Sequence, residues 1–64
     1  LTGLTPVELL RKMRLQQAYA LLLNSDKSVS EICYEVGFGT PSYFASCFKK
    51  EFDIYPADLK KNNN

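Results

Sequence analysis

The chain has 64 residues, of which 45% are hydrophobic and 23% charged, and its formal net charge is +1 at pH 7. A chain this short supports one small domain, which buries only about 60% of its unfolded surface, and so apolar a composition excludes a disordered segment. It contains two cysteines and no histidine, so neither a zinc site nor a histidine-based catalytic pair is expected. No stretch is long enough to span a membrane, and we expect neither membrane contact nor a cofactor.

The first predicted element is a long helix from Pro6 to about Asn24. Thr5 fits an N-cap, Pro6 occupies the first helical position, and Glu8 completes a capping box in which two orphaned backbone N–H groups are satisfied. The polar residues 24–27 form the link that follows.

The apolar side chains of this helix point in most directions around its axis, which indicates that the helix is buried on more than one side. The downstream helices can cover only one of those sides. We therefore expect a packing partner, either an element that precedes Leu1 or a second copy of the chain. One face carries Leu15, Ala18, Tyr19 and Leu22, and other directions are taken by Leu10, Met13, Leu21 and Leu23.

Residues 28–52, SVSEICYEVGFGTPSYFASCFKKEF, predict two short helices joined by a tight turn. Ser28 and Glu31 form a second capping box, which starts the first of these helices. Gly37 ends it, because a glycine takes the left-handed conformation without steric cost, and Phe38 can then fold back on the last turn. The apolar stripe of this helix consists of Val29, Ile32, Cys33 and Val36.

The second helix of the pair begins with Thr40 as N-cap and Pro41 at the first helical position. Its inward side is mainly aromatic, and its outward side begins with small residues and ends with cations. Such a pair is typical of a helix-turn-helix, whose second helix can enter a major groove; the alternative is an αα-hairpin that only packs. The inward residues are Phe44, Cys47, Phe48, Glu51 and Phe52, and the outward ones Ser42, Ala45, Ser46, Lys49 and Asp53.

A last short helix is expected from Pro56 to about Lys61, and the segment before it repeats the start of the chain. Residues 3–9, GLTPVEL, match residues 53–59, DIYPADL, in residue type at every position. The second copy follows a helix-turn-helix. We therefore expect the first copy to follow one too, upstream of Leu1, where it would also cover the long helix.

Five groups of residues carry a resemblance to a known family. They are Gly3-x-x-Pro6, Arg14-Leu15-x-x-Ala18-x-x-Leu21-Leu22, Val29-x-Glu31-Ile32-x-x-x-Val36-Gly37-Phe38, Ser42-Tyr43-Phe44-x-x-x-Phe48-Lys49-Lys50, and Pro56. In order and spacing they resemble the carboxyl-terminal part of the AraC/XylS family of bacterial transcription regulators. The resemblance implies an all-α, homeodomain-like fold, with residues 1–27 as linker helix and turn and residues 28–64 as the second helix-turn-helix unit with a short C-terminal helix. The first unit would lie upstream of residue 1.

The same resemblance implies a set of DNA contacts and a core position for Tyr43, Phe44 and Phe48. Ser46 stands where many relatives carry arginine, which would weaken base readout, and Asp53 replaces a common glycine. The base-facing residues would be Pro41, Ser42, Ala45 and Ser46, and the phosphate contacts would come from Val29, Ser30, Thr40, Lys49 and Lys50.

Functionally, the resemblance implies a sequence-specific regulator that binds double-stranded DNA in the bacterial cytoplasm, at the nucleoid. A sensing domain, ligand-binding or part of a phosphorelay, would precede this segment in the same chain. The alternative is a helical interaction module that contacts RNA polymerase or another subunit, with little base readout. An enzyme is not expected, because no nucleophile with a base and no glycine-rich phosphate loop is present.

Overall fold

The computed structural model describes Gly3 and residues 5–62, which form four α-helices and no strand. They are α1 (Pro6–Asn24), α2 (Val29–Glu35), α3 (Pro41–Phe52) and α4 (Pro56–Asn62). The predicted all-α class is confirmed. The outer limits of the two predicted segments, at residues 1 and 64, lie outside the described residues. None of the four helices is both long and apolar enough to cross a membrane.

Both predicted capping boxes are present. In the first box, Glu8 N donates to Thr5 Oγ1 over 3.1 Å and Thr5 N donates to Glu8 Oε1 over 3.0 Å. In the second, Glu31 N donates to Ser28 Oγ over 3.1 Å and Ser28 N donates to Glu31 Oε1 over 2.8 Å. The backbone hydrogen bonds from Thr5 and Ser28 lower the pKa of the two glutamates. Each box therefore stabilises the fold above the unfolded pKa of its carboxyl group, and this contribution is lost as the pH falls through the lowered, folded value.

The turn between α2 and α3 is fixed by backbone conformation. Gly37 has a φ of 96°, and Phe38 N donates to Cys33 O over 2.9 Å, which folds Phe38 back into the core as predicted. Thr40 precedes α3 as predicted, but its side chain makes no capping hydrogen bond. Its φ of −132°, against −73° at Thr5 and −71° at Ser28, aims the side chain differently.

The core lies where α1, α2 and α3 meet. Rings contact each other along α3, with centroids 5.3 Å apart for Phe38 and Phe44, 5.7 Å for Phe44 and Phe48, and 4.6 Å for Phe48 and Phe52. Its buried hydrophobic residues are Leu15, Ala18, Leu22, Ile32, Cys33, Val36, Phe38, Phe44 and Phe48.

The expected core position of Tyr43 is wrong, because half of its surface is exposed. Tyr43 lies at about 100° from Ser42 around α3, between the inward and the outward side. Its ring packs against that of Phe38 at a tilt of 42°, with centroids 5.6 Å apart, and lies outside the buried cluster. Tyr43 is therefore a surface residue that leans on the core.

The two copies of the internal repeat share backbone features. Gly3 and Asp53 both have positive φ, of 77° and 62°, and Pro6 and Pro56 each begin a helix. The side of α1 that carries Leu10 and Met13 is exposed among the described residues. Both observations support the expectation of a further helix-turn-helix upstream, which stays a prediction.

Candidate nucleic-acid interface

Helix α3 presents one side to the core and the other to solvent. Phe44 and Phe48 have no exposed surface, whereas Ser42 and Ser46, one turn apart, are exposed on the opposite side. The start of α4 lies beside Ser42 and Ala45 on this outward side, and Ser46 and Lys49 further along it are exposed.

The four residues predicted to face bases do not have equal exposure. Ser42 and Ser46 are exposed, while Pro41 and Ala45 are half-buried. The structure brings Pro41, Ser42 and Ala45 together with Val29 in a shallow groove, against the start of α4. Ser46 lies one turn further along α3, beside this groove, so the predicted set is contiguous.

The predicted phosphate contacts at helix starts do not all border the same groove. The amide of Glu31 is taken by Ser28, whereas the amides of Val29 and Ser30 are first-turn donors without an intrahelical partner. Val29 lines this groove itself. Thr40 is exposed at the start of α3 and lines a separate pocket with Gly37 and Tyr43.

The two lysines near the end of α3 have different surroundings. Lys49 Nζ donates to Asp53 O over 3.2 Å and lies 5.5 Å from the centroid of the Tyr55 ring. A cation here also interacts favourably with the carboxyl end of the helix. Lys50 makes no hydrogen bond or ion pair with any other described residue, so its charge is available to a ligand.

Sequence reasoning missed two residues beside this surface, Tyr43 and Arg11. Arg11 Nη1 donates to Tyr43 Oη over 3.1 Å, and this hydrogen bond raises the pKa of the guanidinium. The contact links α1 to the first turn of α3. The signal for Tyr43 was its angular position between the two sides of α3, but no local pattern pairs residues 32 positions apart.

Comparison with known proteins agrees with this geometry. A family model described as a helix-turn-helix domain matches residues 1–62. The chain is 43% identical to the HTH-type transcriptional activator RhaS of Citrobacter koseri, 41% to that of Klebsiella pneumoniae and 43% to that of Salmonella arizonae. Each match covers 98% of this chain and 23% of the relative, so the chain spans about a quarter of their length.

No solved structure matches the chain significantly. The family match nevertheless covers nearly every residue, and it includes both the turn at Gly37 and the exposed side of α3. The chain therefore belongs to the AraC-type helix-turn-helix family of DNA-binding transcription regulators.

Proposed function

We propose that this chain is the second major-groove-reading half of an AraC-type DNA-binding domain, with α3 as its reading helix. The observation that carries the proposal is the division of α3 into a fully buried aromatic side, Phe44 and Phe48, and an exposed polar side, Ser42 and Ser46. The major groove of B-DNA, about 12 Å wide, admits such a helix.

The chemistry of the exposed side supports affinity more than sequence choice. Lys49 and Lys50 would bind phosphates, a term that depends on salt and not on sequence. The amides of Val29 and Ser30, with Thr40, would add contacts to the backbone. Ser42 and Ser46 can each make single hydrogen bonds to base edges, and Ala45, with Pro41 beside it, can touch a thymine methyl.

We propose that the full-length protein has the domain organisation that the family resemblance implies. Another helix-turn-helix and a sensing domain would precede this segment, the protein would act on DNA in the bacterial cytoplasm, and it would have no catalytic role. The relatives are named transcriptional activators. We propose that this protein likewise activates transcription. A reporter driven by its operator would show increased transcription.

Lys49→Glu is expected to weaken DNA binding and to flatten its salt dependence. Removing one phosphate contact makes the negative slope of log K against log salt less steep by about 0.9, and the new carboxylate repels the DNA backbone. Fluorescence anisotropy of the protein in its natural full-length form, titrated onto a mixed-sequence duplex at several salt concentrations, measures both effects.

Lys61→Glu, the same charge change in the last turn of α4, is the matched control and should keep the parent slope. Circular dichroism checks that both variants are folded. If the parent binds and Lys49→Glu binds equally well, this half of the domain contacts a protein such as RNA polymerase, and the proposed function is wrong.

Ser46→Arg is expected to change the preferred DNA sequence. An arginine at this exposed position can hold guanine through two hydrogen bonds, worth about 1–3 kcal/mol of discrimination, and serine cannot reach as far. Selection of binding sites from a randomised pool should show a new guanine preference. Gln17→Arg on the exposed side of α1 adds the same charge and should leave the selected DNA sequence unchanged. If Ser46→Arg also left the selected sequence unchanged, Ser46 would not lie in the major groove.

A further inference from the structure

A crevice of about 470 Å³ lies between α1 and α3, on the side of α3 away from the groove at Val29. Helix α1 contributes Glu8, Arg11 and Lys12, and helix α3 contributes Tyr43, Lys50 and Glu51. Three cations and two carboxylates therefore meet there, and their pairing decides what the crevice can bind.

Both carboxylates already have partners within the protein. Glu8 Oε1 accepts a hydrogen bond from Thr5 N in the capping box. Glu51 Oε2 forms an ion pair with Lys12 Nζ over 3.1 Å. Arg11, by contrast, donates to the uncharged phenol of Tyr43, with Glu8 only a more distant electrostatic neighbour. Lys50 has no ion pair with any residue that the structure describes. Two positive charges on the crevice rim therefore lack a directly bound carboxylate.

Tyr43 and Lys50, at the rim of the crevice, lie along one edge of the exposed side of α3. On the helix, Tyr43 lies about 100° from Ser42 and about 60° from Ser46, in the direction of α1. Lys50 lies about 80° from Ser42 and about 40° from Ser46 in the same direction. Lys49 lies at the opposite edge. A helix in a major groove has a phosphate backbone on each side, and contacts to these phosphates set its orientation.

We propose that Arg11, Tyr43 and Lys50 form a phosphate-binding rim through which α1 takes part in holding the DNA backbone. This inference rests on the proposed function, since α3 must enter the groove for the rim to reach a phosphate. The guanidinium has five N–H donors, and the bond to Tyr43 uses one of them. The phenol accepts from Arg11 and can donate its own hydrogen to a phosphate oxygen.

The test compares Arg11→Met and Lys50→Met with the parent protein in its natural full-length form. Methionine keeps an apolar stem of similar length and removes the charge. Each variant is expected to make the negative slope of log K against log salt less steep by about 0.9, and the double variant by about 1.8. The loss of affinity should be the same on a mixed-sequence duplex and on the selected site, because a phosphate contact carries no base information.

Two further variants separate the rim from general effects. Tyr43→Phe keeps the ring and the net charge but removes the hydroxyl, so its affinity should fall with a smaller change in slope than for Arg11→Met. Lys27→Met removes a charge that pairs with Glu35, outside the crevice, and should keep the parent slope. Thermal melts check folding, and Lys50→Met breaks no hydrogen bond or ion pair with any described residue.

The outcomes distinguish this inference from the proposed function. If the parent binds DNA, Lys49→Glu weakens it, and Arg11→Met keeps the parent slope, then α1 does not touch the backbone and the rim is wrong while the reading helix stands. If the parent does not bind DNA at any salt concentration, the proposed function itself fails, and the rim fails with it.

Discussion

Replacing Phe48 with alanine is expected to remove a large part of the protein's free energy of unfolding at 25 °C. Phe48 has no exposed surface, and its ring centroid lies 4.6 Å from that of Phe52, 5.7 Å from Phe44 and 6.1 Å from Tyr19 on α1. Truncating such a side chain costs about 3–5 kcal/mol, because it removes apolar burial and leaves a cavity. The unfolding free energy of 64 residues is itself roughly 3–10 kcal/mol.

Urea unfolding followed by circular dichroism at 222 nm measures this loss. Phe48→Leu refills much of the space and should be clearly less destabilising, while Tyr34→Ala, at a largely exposed position of α2, should change stability by less than about 0.5 kcal/mol. A loss of under about 1 kcal/mol for Phe48→Ala would mean that α3 does not pack through this side.

Gly37→Val is the substitution with the second largest expected effect. The φ of 96° at Gly37 is unfavourable for any L-residue and most of all for a β-branched one. A Cβ at this position would also come within 3.2 Å of Arg14 Cζ, whose neighbouring Nη1 donates to Gly37 O over 3.3 Å. We expect a loss of roughly 2–3 kcal/mol, at the upper end for a strained backbone residue.

The same urea titration measures this effect, and two variants identify its cause. Gly37→Asn should lose less, because asparagine tolerates positive φ better than valine. Gly39→Ala should also lose less, since its φ is 37° and nothing lies within 4 Å of the added carbon. If Gly37→Val were as stable as the parent, the turn between α2 and α3 would not require a glycine.

Local sequence signals were enough to predict the ends of the helices. Each capping box needs only residues three apart, as Thr5 with Glu8 and Ser28 with Glu31, and the structure contains both. The aromatic spacing of Phe44 and Phe48 likewise placed the buried side of α3. These features were predictable because their energetic causes act within one or two turns of a single helix.

The crevice between α1 and α3 could not be predicted in the same way. It depends on how two helices far apart in sequence cross, and this crossing sets Arg11 against Tyr43. The family resemblance placed Tyr43 in the core together with Phe44 and Phe48. The angle between consecutive residues on a helix instead brings Tyr43 to the surface, where a hydroxyl can serve binding.

The separation of the two sides of α3 has an evolutionary consequence. Ser42, Ser46 and Lys50 are exposed, and substitutions at such positions usually change stability by no more than about 0.5 kcal/mol. If Ser42 and Ser46 face bases as proposed, single substitutions at these two positions would change the operator that is read and leave the buried aromatic side as it is. New regulatory targets would then be reached by mutations that the fold tolerates.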